Sequence, residues 1–144
     1  MKVSVILQKK GSMEVATIDP AVTTSDAVRE LSRRRIGALV VTSATGDIAG
    51  ILSERDIVRR LGEEGPGVLA RPVSDIMTTT VQTCTADDTA FDLLGRMTQG
   101  RFRHMPVMDA EGRMAGILSI GDVVKARLEE IEAENAAMAD MLSG

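Results

Sequence analysis

The stretch Gly50-Ile51-Leu52-Ser53-Glu54-Arg55-Asp56 returns later in the chain as Gly116-Ile117-Leu118-Ser119-Ile120-Gly121-Asp122. In both places a short apolar run of strand type meets a Ser able to open a helix. With Gly50 laid on Gly116, Val15–Leu61 lies on Val81–Arg127 without a gap. Val15 then meets Val81, Thr23 meets Thr89, Asp26 meets Asp92, Val41 meets Val107 and Gly46 meets Gly112. Conservative pairs such as Leu31 with Met97 and Ile36 with Phe102 fill the intervals. A gapless self-match of this length identifies a tandem duplication.

Each copy reads as β-α-β-β-α, which puts the chain in the mixed α/β (α+β) class. The runs at 15–19 and 81–85 are β-rich, and Ala27, Val28 and Leu31, like Leu93, Leu94 and Met97, recur at helical spacing. Thr24 or Ser25, and Asp88 or Thr89, are candidate N-caps. Two buried strands at 38–41 and 104–107 follow, each joined by a Gly-containing turn to the run that ends in the Ser. The last helix of each copy opens at that Ser. The second of them continues to about Leu142. These signals divide the chain into a first repeat with an N-terminal extension (1–62), a linker (63–73), a second repeat (74–128) and a C-terminal helix extension (129–144). Ser74 is a candidate cap for a short turn before Met77.

Composition narrows the function. The 144 residues are 44% hydrophobic with two Phe, no Trp and no Tyr, so the core must be aliphatic, Met and Ala. The net charge is −4, with Lys and Arg dispersed, which speaks against a nucleic-acid backbone as partner. Stacking platforms for single strands are missing too. Cys84 is the one cysteine, so no intramolecular disulfide forms, and a reducing, cytoplasmic location is expected. No apolar run approaches the roughly 20 residues of a membrane span, and the start of the chain is not read as a signal peptide.

The repeated Ser-x-x-Asp admits two readings. As structure it is a capping box, with the acid at the positive end of the helix dipole. As function, a strand running into a helix N-terminus offers backbone N–H groups to a phosphate. The acid one turn in can accept from a ribose diol, and the Gly lets a flat ring approach the backbone. Two copies then imply two sites for a nucleoside phosphate.

With these residues in view the chain resembles a CBS-domain pair, or Bateman module. The shared features are the tandem β-α-β-β-α unit, Gly-Ile-Leu-Ser-x-x-Asp in both copies, the run from Arg35 to Val41 and the run from Arg101 to Val107. More narrowly it is similar to small bacterial stand-alone pairs, which share the Lys10-Gly11 start. The resemblance implies a pseudo-two-fold disk with adenosine ligands in clefts between the repeats. It implies that Asp56 and Asp122 bind ribose hydroxyls, with Ser53, Ser119 and Ile117 close by. Ala16, Ile36 and Gly37 would line the base beside Asp122. Thr78, Gln82, Phe102 and Arg103 would share a cleft with Asp56. Arg103, His104, Arg55 and Lys10 would meet phosphate. Gly37-Ala38 stand where Arg103-His104 stand, so the two sites cannot be chemically equal.

The implied protein is a non-catalytic regulatory module sensing energy or redox state through AMP, ADP, ATP or NAD(H), AMP first. No metal is expected beyond Mg carried by the nucleotide. An interaction adaptor with vestigial clefts is the alternative, and an enzyme would be told apart by turnover. His104 is the only histidine and has no partner motif beside it. Val124, Leu128, Ile131, Asn135, Met138 and Leu142 recur at alternating spacings of four and three, a heptad seam with Asn135 at an a position. That seam points to self-association, with packing along its own domain or a partner's as the other reading; the resemblance to CBS pairs implies a homodimer, with an effector protein still to be identified.

Overall fold

The computed structural model describes residues 1–11 and 14–143. They divide into two compact units, Val15–Val81 and Met1–Glu14 with Gln82–Gly144.

In the Val15–Val81 unit, strand β1 (Thr17–Ile18) pairs in parallel with β2 (Ala38–Thr42), which pairs antiparallel with β3 (Ile48–Ser53). β2 is central because Leu39, Val40 and Val41 are β-branched or apolar without interruption and fully buried. Helices α2 (Thr24–Arg34) and α3 (Glu54–Glu64) cover the sheet through Ala27, Leu31 and Ile57. β1 is shorter than the expected strand because the chain turns at once: the Ala21 amide donates to Asp19 Oδ1 at 2.8 Å. The cap of α2 is Thr23, whose hydroxyl accepts from the Asp26 amide, rather than Thr24 or Ser25. Thr24 is instead fully buried and donates its hydroxyl to the Arg71 carbonyl at 2.9 Å. The segment read as a linker is ordered: a 3-10 turn (Pro66–Ala70) buries Val68, and α4 (Val73–Ile76) buries Val73 and Ile76. Pro72, not Ser74, is the N-cap of α4; the Ser74 amide donates to the Pro20 carbonyl instead.

The other unit repeats this plan. β4 (Cys84–Thr85), β5 (His104–Met108) and β6 (Met114–Ser119) form a sheet of the same order and direction. In both sheets the register shifts once near the end of the central strand, between Val41 and Thr42 and between Val107 and Met108. Helix α5 (Ala90–Gly100) is capped by Thr89, as expected. Its C-cap Arg101 is left-handed at φ 56°, matching Arg35 at φ 55° after α2. Helix α6 (Ile120–Ser143) buries Val123 and Ala126 and then runs on with every residue from Ile131 to Ser143 exposed.

Helix α1 (Val3–Lys10) belongs to this second unit, burying Val3, Ile6 and Leu7 in its core. It is the counterpart of α4. The Val3 and Ser4 amides donate to Asp88 and Ala86 as those of Val73 and Ser74 donate to Val22 and Pro20. Val-Ser-x-Ile occurs in both, at Val3–Ile6 and Val73–Ile76. The duplication therefore extends further than the gapless match, and each leading segment completes the repeat that it does not precede.

Candidate functional site

The strand-to-helix junctions were built from the same instructions. Ser53 ends β3 and caps α3: its hydroxyl accepts from the Asp56 amide at 3.2 Å, and its own amide donates to Asp56 Oδ2 at 3.2 Å. The Ser53 hydroxyl also donates to Asp56 Oδ2 at 2.9 Å. Ser119 and Asp122 repeat the reciprocal pair, with the Ser119 amide 2.9 Å from Asp122 Oδ2 and the Asp122 amide 3.2 Å from Ser119 Oγ. Both capping boxes are thus complete, and the structural reading of Ser-x-x-Asp holds in each repeat.

The phosphate reading of the helix N-termini is corrected by the same contacts. The first helical amide, Glu54 N–H, is taken by the Gly37 carbonyl at 2.9 Å, and Ile120 N–H by the Arg103 carbonyl at 2.8 Å. The third is taken by the capping Ser. Of the first three amides only that of Arg55, or of Gly121, is left by these contacts, so each N-terminus offers fewer free amides than the phosphate reading expects.

The glycines are also explained differently. A Cβ on Gly50 would lie 2.7 Å from Met77 Sδ and from the Thr78 carbonyl; one on Gly116 would lie 2.8 Å from Leu7 Cδ2. The chain's own leading segments fill the space that a Cβ on either glycine would take.

The surroundings of the two acids differ. Asp56 Oδ2 lies 3.5 Å from the Thr78 hydroxyl, and its Oδ1 lies 3.5 Å from the exposed Arg59 guanidinium of the same helix. Asp122 Oδ2 accepts the Lys10 ammonium at 2.9 Å, and the same Nζ donates to the Ile117 carbonyl at 2.9 Å. Burial opposes ionisation of Asp122; the Ser119 amide and the Lys10 ammonium outweigh it and hold the carboxyl below its ordinary value. Asp122 Oδ1 makes no hydrogen bond among the described residues.

Ser53, Asp56 and Thr78 are therefore joined in one unit, and Ser119, Asp122, Ile117 and Lys10 in the other. Ala16, Ile36 and Gly37 lie half-buried in the first of these units, and Arg55 lies exposed on α3. In the second, Gln82 accepts from Arg96 at 3.2 Å, and Phe102 packs against the core beside Gly100. Arg103 is exposed, and His104 lies opposite Ser119 in the sheet. Sequence reasoning missed the Lys10–Asp122 pair. Its signal was the four extra residues between Leu7 and Val15 relative to Met77 and Val81, which lengthen α1 by about a turn beyond α4.

Cys84 is buried at the core of its unit, where desolvation, then the charge of Asp88, pushes the thiol up to about 11. That leaves it as a small apolar side chain rather than a nucleophile. No group of three or more His, Cys, Asp or Glu among the described residues could hold a metal. No described helix is long and apolar enough to cross a membrane.

Comparison with known proteins agrees with this architecture. The family described as CBS domain matches residues 11–63 and 73–129. A CBS-domain containing protein from Agrobacterium tumefaciens is 44% identical, with a TM-score of 0.84 over 88% of this chain and 99% of that one. An uncharacterized 17.7 kDa protein from Acidianus ambivalens is 34% identical over 116 residues, 81% of this chain and 69% of its own. The structure of CBSX2 in complex with AMP is 25% identical, with a TM-score of 0.66 over 81% of this chain and 89% of that one. Other curated relatives are much longer: the chain spans 54% of the mitochondrial CBSX3 and 23% of CBSCBSPB2, both from Arabidopsis thaliana.

Proposed function

The chain belongs to the CBS domain family, and on that premise we propose that it is a non-catalytic regulatory module that binds adenine nucleotides. The supporting observation is the pair of part-buried carboxylates, Asp56 and Asp122, each fixed by its own cap with one oxygen not used in that cap. A carboxylate held in this way is a prepared acceptor for a ribose diol. AMP is the first ligand to consider, because it is bound in the CBSX2 complex; ADP, ATP and NAD(H) share its adenosine moiety. Ser53 and Ser119 set the acids, and Thr78, Gln82, Phe102, Ala16, Ile36, Gly37 and Ile117 are proposed as nucleoside contacts. Arg55, Arg103, His104 and Lys10 are proposed as phosphate partners. A homodimer through α6 and a cytoplasmic role in energy or redox sensing complete the reading. Its mechanism is a population shift, in which nucleotide favours one of two arrangements offered to an effector protein.

An interaction adaptor is favoured by one observation. Because Asp56 and Asp122 cap helices, they have a structural reason to persist in a protein that binds no ligand. Calorimetric titration with AMP separates the two readings. Asp56→Asn and Asp122→Asn keep an acceptor for the cap while removing the charge that a diol prefers. The expected result is loss of one binding event per variant, each by roughly tenfold or more in affinity. No heat from a folded wild-type protein with AMP, ATP or NADH sinks the nucleotide reading. Lacking Trp and Tyr, the chain absorbs little in the near ultraviolet, so an adenine ring that co-purifies with it dominates the spectrum.

A further inference from the structure

Lys10 is already paired with Asp122, the acid proposed to hold the ribose. Its Nζ bridges Asp122 Oδ2 and the Ile117 carbonyl, both at 2.9 Å. The first-repeat unit shows what this ammonium replaces. There Ile51, the counterpart of Ile117, pairs with Thr78 through both backbone groups, each bond 2.9 Å long. A carbonyl satisfied by backbone in one repeat is satisfied by a side-chain cation in the other. Outside its cap, Asp56 meets among the described residues the Thr78 hydroxyl and Arg59, whose side chain is 61% exposed against 31% for Lys10. Lys10 also faces a shallow cleft lined by Lys9, Lys125 and Glu129. Lys9 pairs with Glu129 at 3.2 Å, and Lys125 has no ion-pair partner among the described residues.

We infer that Lys10 is an exchangeable internal counter-ion that makes the Asp122 site select phosphorylated nucleosides over bare nucleosides. The inference rests on the nucleotide reading of that site. A ribose diol that takes both oxygens of Asp122 must compete with the ammonium already held on Oδ2 at hydrogen-bond distance. Once displaced, that ammonium has lost both its anion and the Ile117 carbonyl. A phosphate on the same ligand supplies a new anion for it, with Lys125 beside it; adenosine supplies none. The exchange is balanced for a nucleotide and unbalanced for a nucleoside.

The experiment uses AMP and adenosine as probes in the Asp56→Asn chain, where Asp122 is the remaining site. AMP is expected to bind about tenfold more tightly than adenosine, and Lys10→Gln is expected to remove most of that preference. Lys10→Arg, which keeps the charge, should retain it. In parallel, the Asp122 carboxyl followed by NMR should titrate at a higher pH in Lys10→Gln than in the parent. If Lys10→Gln leaves the AMP-to-adenosine ratio unchanged, Lys10 is a structural clasp; the inference is overturned and nucleotide binding stands. If the Asp56→Asn chain binds neither probe while wild type binds AMP, Asp122 is not a site and the inference falls alone. If wild type binds neither, both readings fall together.

Discussion

At the scale of the residue, Gly50 and Gly116 are the plainest case of one sequence signal with a different cause. Both stand in the repeated Gly-Ile-Leu-Ser, where the sequence suggests room for a flat ring. Each is instead covered by the leading segment of its own unit, Gly50 by Met77 and Thr78 and Gly116 by Leu7. The two contacts differ in what can yield. Over Gly50 the Thr78 carbonyl is backbone and is held by its bond from Ile51, whereas over Gly116 the neighbour is the end of a Leu side chain. Gly50→Ala should therefore cost about 2–3 kcal/mol and Gly116→Ala nearer 1 kcal/mol, the range of overpacking in tight cores. Urea denaturation of the two variants measures this, and a larger loss at Gly116 would show that the backbone over Gly50 gives way. Ser53, Asp56, Ser119 and Asp122 were legible because a cap is local and lies within one turn. The partner of Asp122 was not, because Lys10 is far away in sequence and reaches it only through the extra turn of α1.

At the scale of the element, helices and strands followed the sequence closely wherever apolar periodicity and caps agreed, as in α3 and α5. Thr23 displaced Thr24 as a cap because burial at that position was decided by Arg71, which no local pattern reveals. Helix α6 carries the strongest unpartnered signal. Its first turns bury Val123 and Ala126, while Leu128, Met138 and Leu142 are 55%, 61% and 87% exposed. Apolar groups at heptad spacing on a helix that stands off its own unit gain little from helix propensity alone and much from a second helix. With Asn135 at an a position, the seam suits pairing of like helices in one register. Leu128→Glu with Met138→Glu touches nothing in the core, so circular dichroism should be unchanged. Sedimentation should shift from dimer to monomer. A wild-type chain that sediments as a monomer at high concentration would remove self-association from the proposed function.

At the scale of the whole molecule, chain order and packing order part company. The duplication was legible from Val15 onward because the two copies match without a gap. The match Val3-Ser4-x-Ile6 with Val73-Ser74-x-Ile76 was hidden because four extra residues shift its register. Read with that insertion, each repeat has a leading turn that buries a Val and an Ile, and the turn serves the other repeat: α1 packs with 82–143, and α4 with 15–81. The consequence is directional. Removing residues 1–10 takes away Val3, Ile6 and Leu7, which are 0%, 5% and 5% exposed, at about 1.5–3 kcal/mol each. That loss, several kcal/mol in all, should fall on the second repeat although the deletion lies beside the first. It also uncovers Leu93, Met105 and Leu118, which share the α1 core. Amide hydrogen exchange of the truncated chain should lose protection in α5, β5 and β6 and keep it in α2, β2 and β3. Protection lost first from β2 and β3 would mean that α1 acts on the repeat it precedes, and the crossed assignment of the two leading segments would be wrong. If the crossed pattern is found, each repeat depends for its core on a segment covalently next to the other. Neither can then be cut out at the gapless boundaries without losing part of its hydrophobic interior.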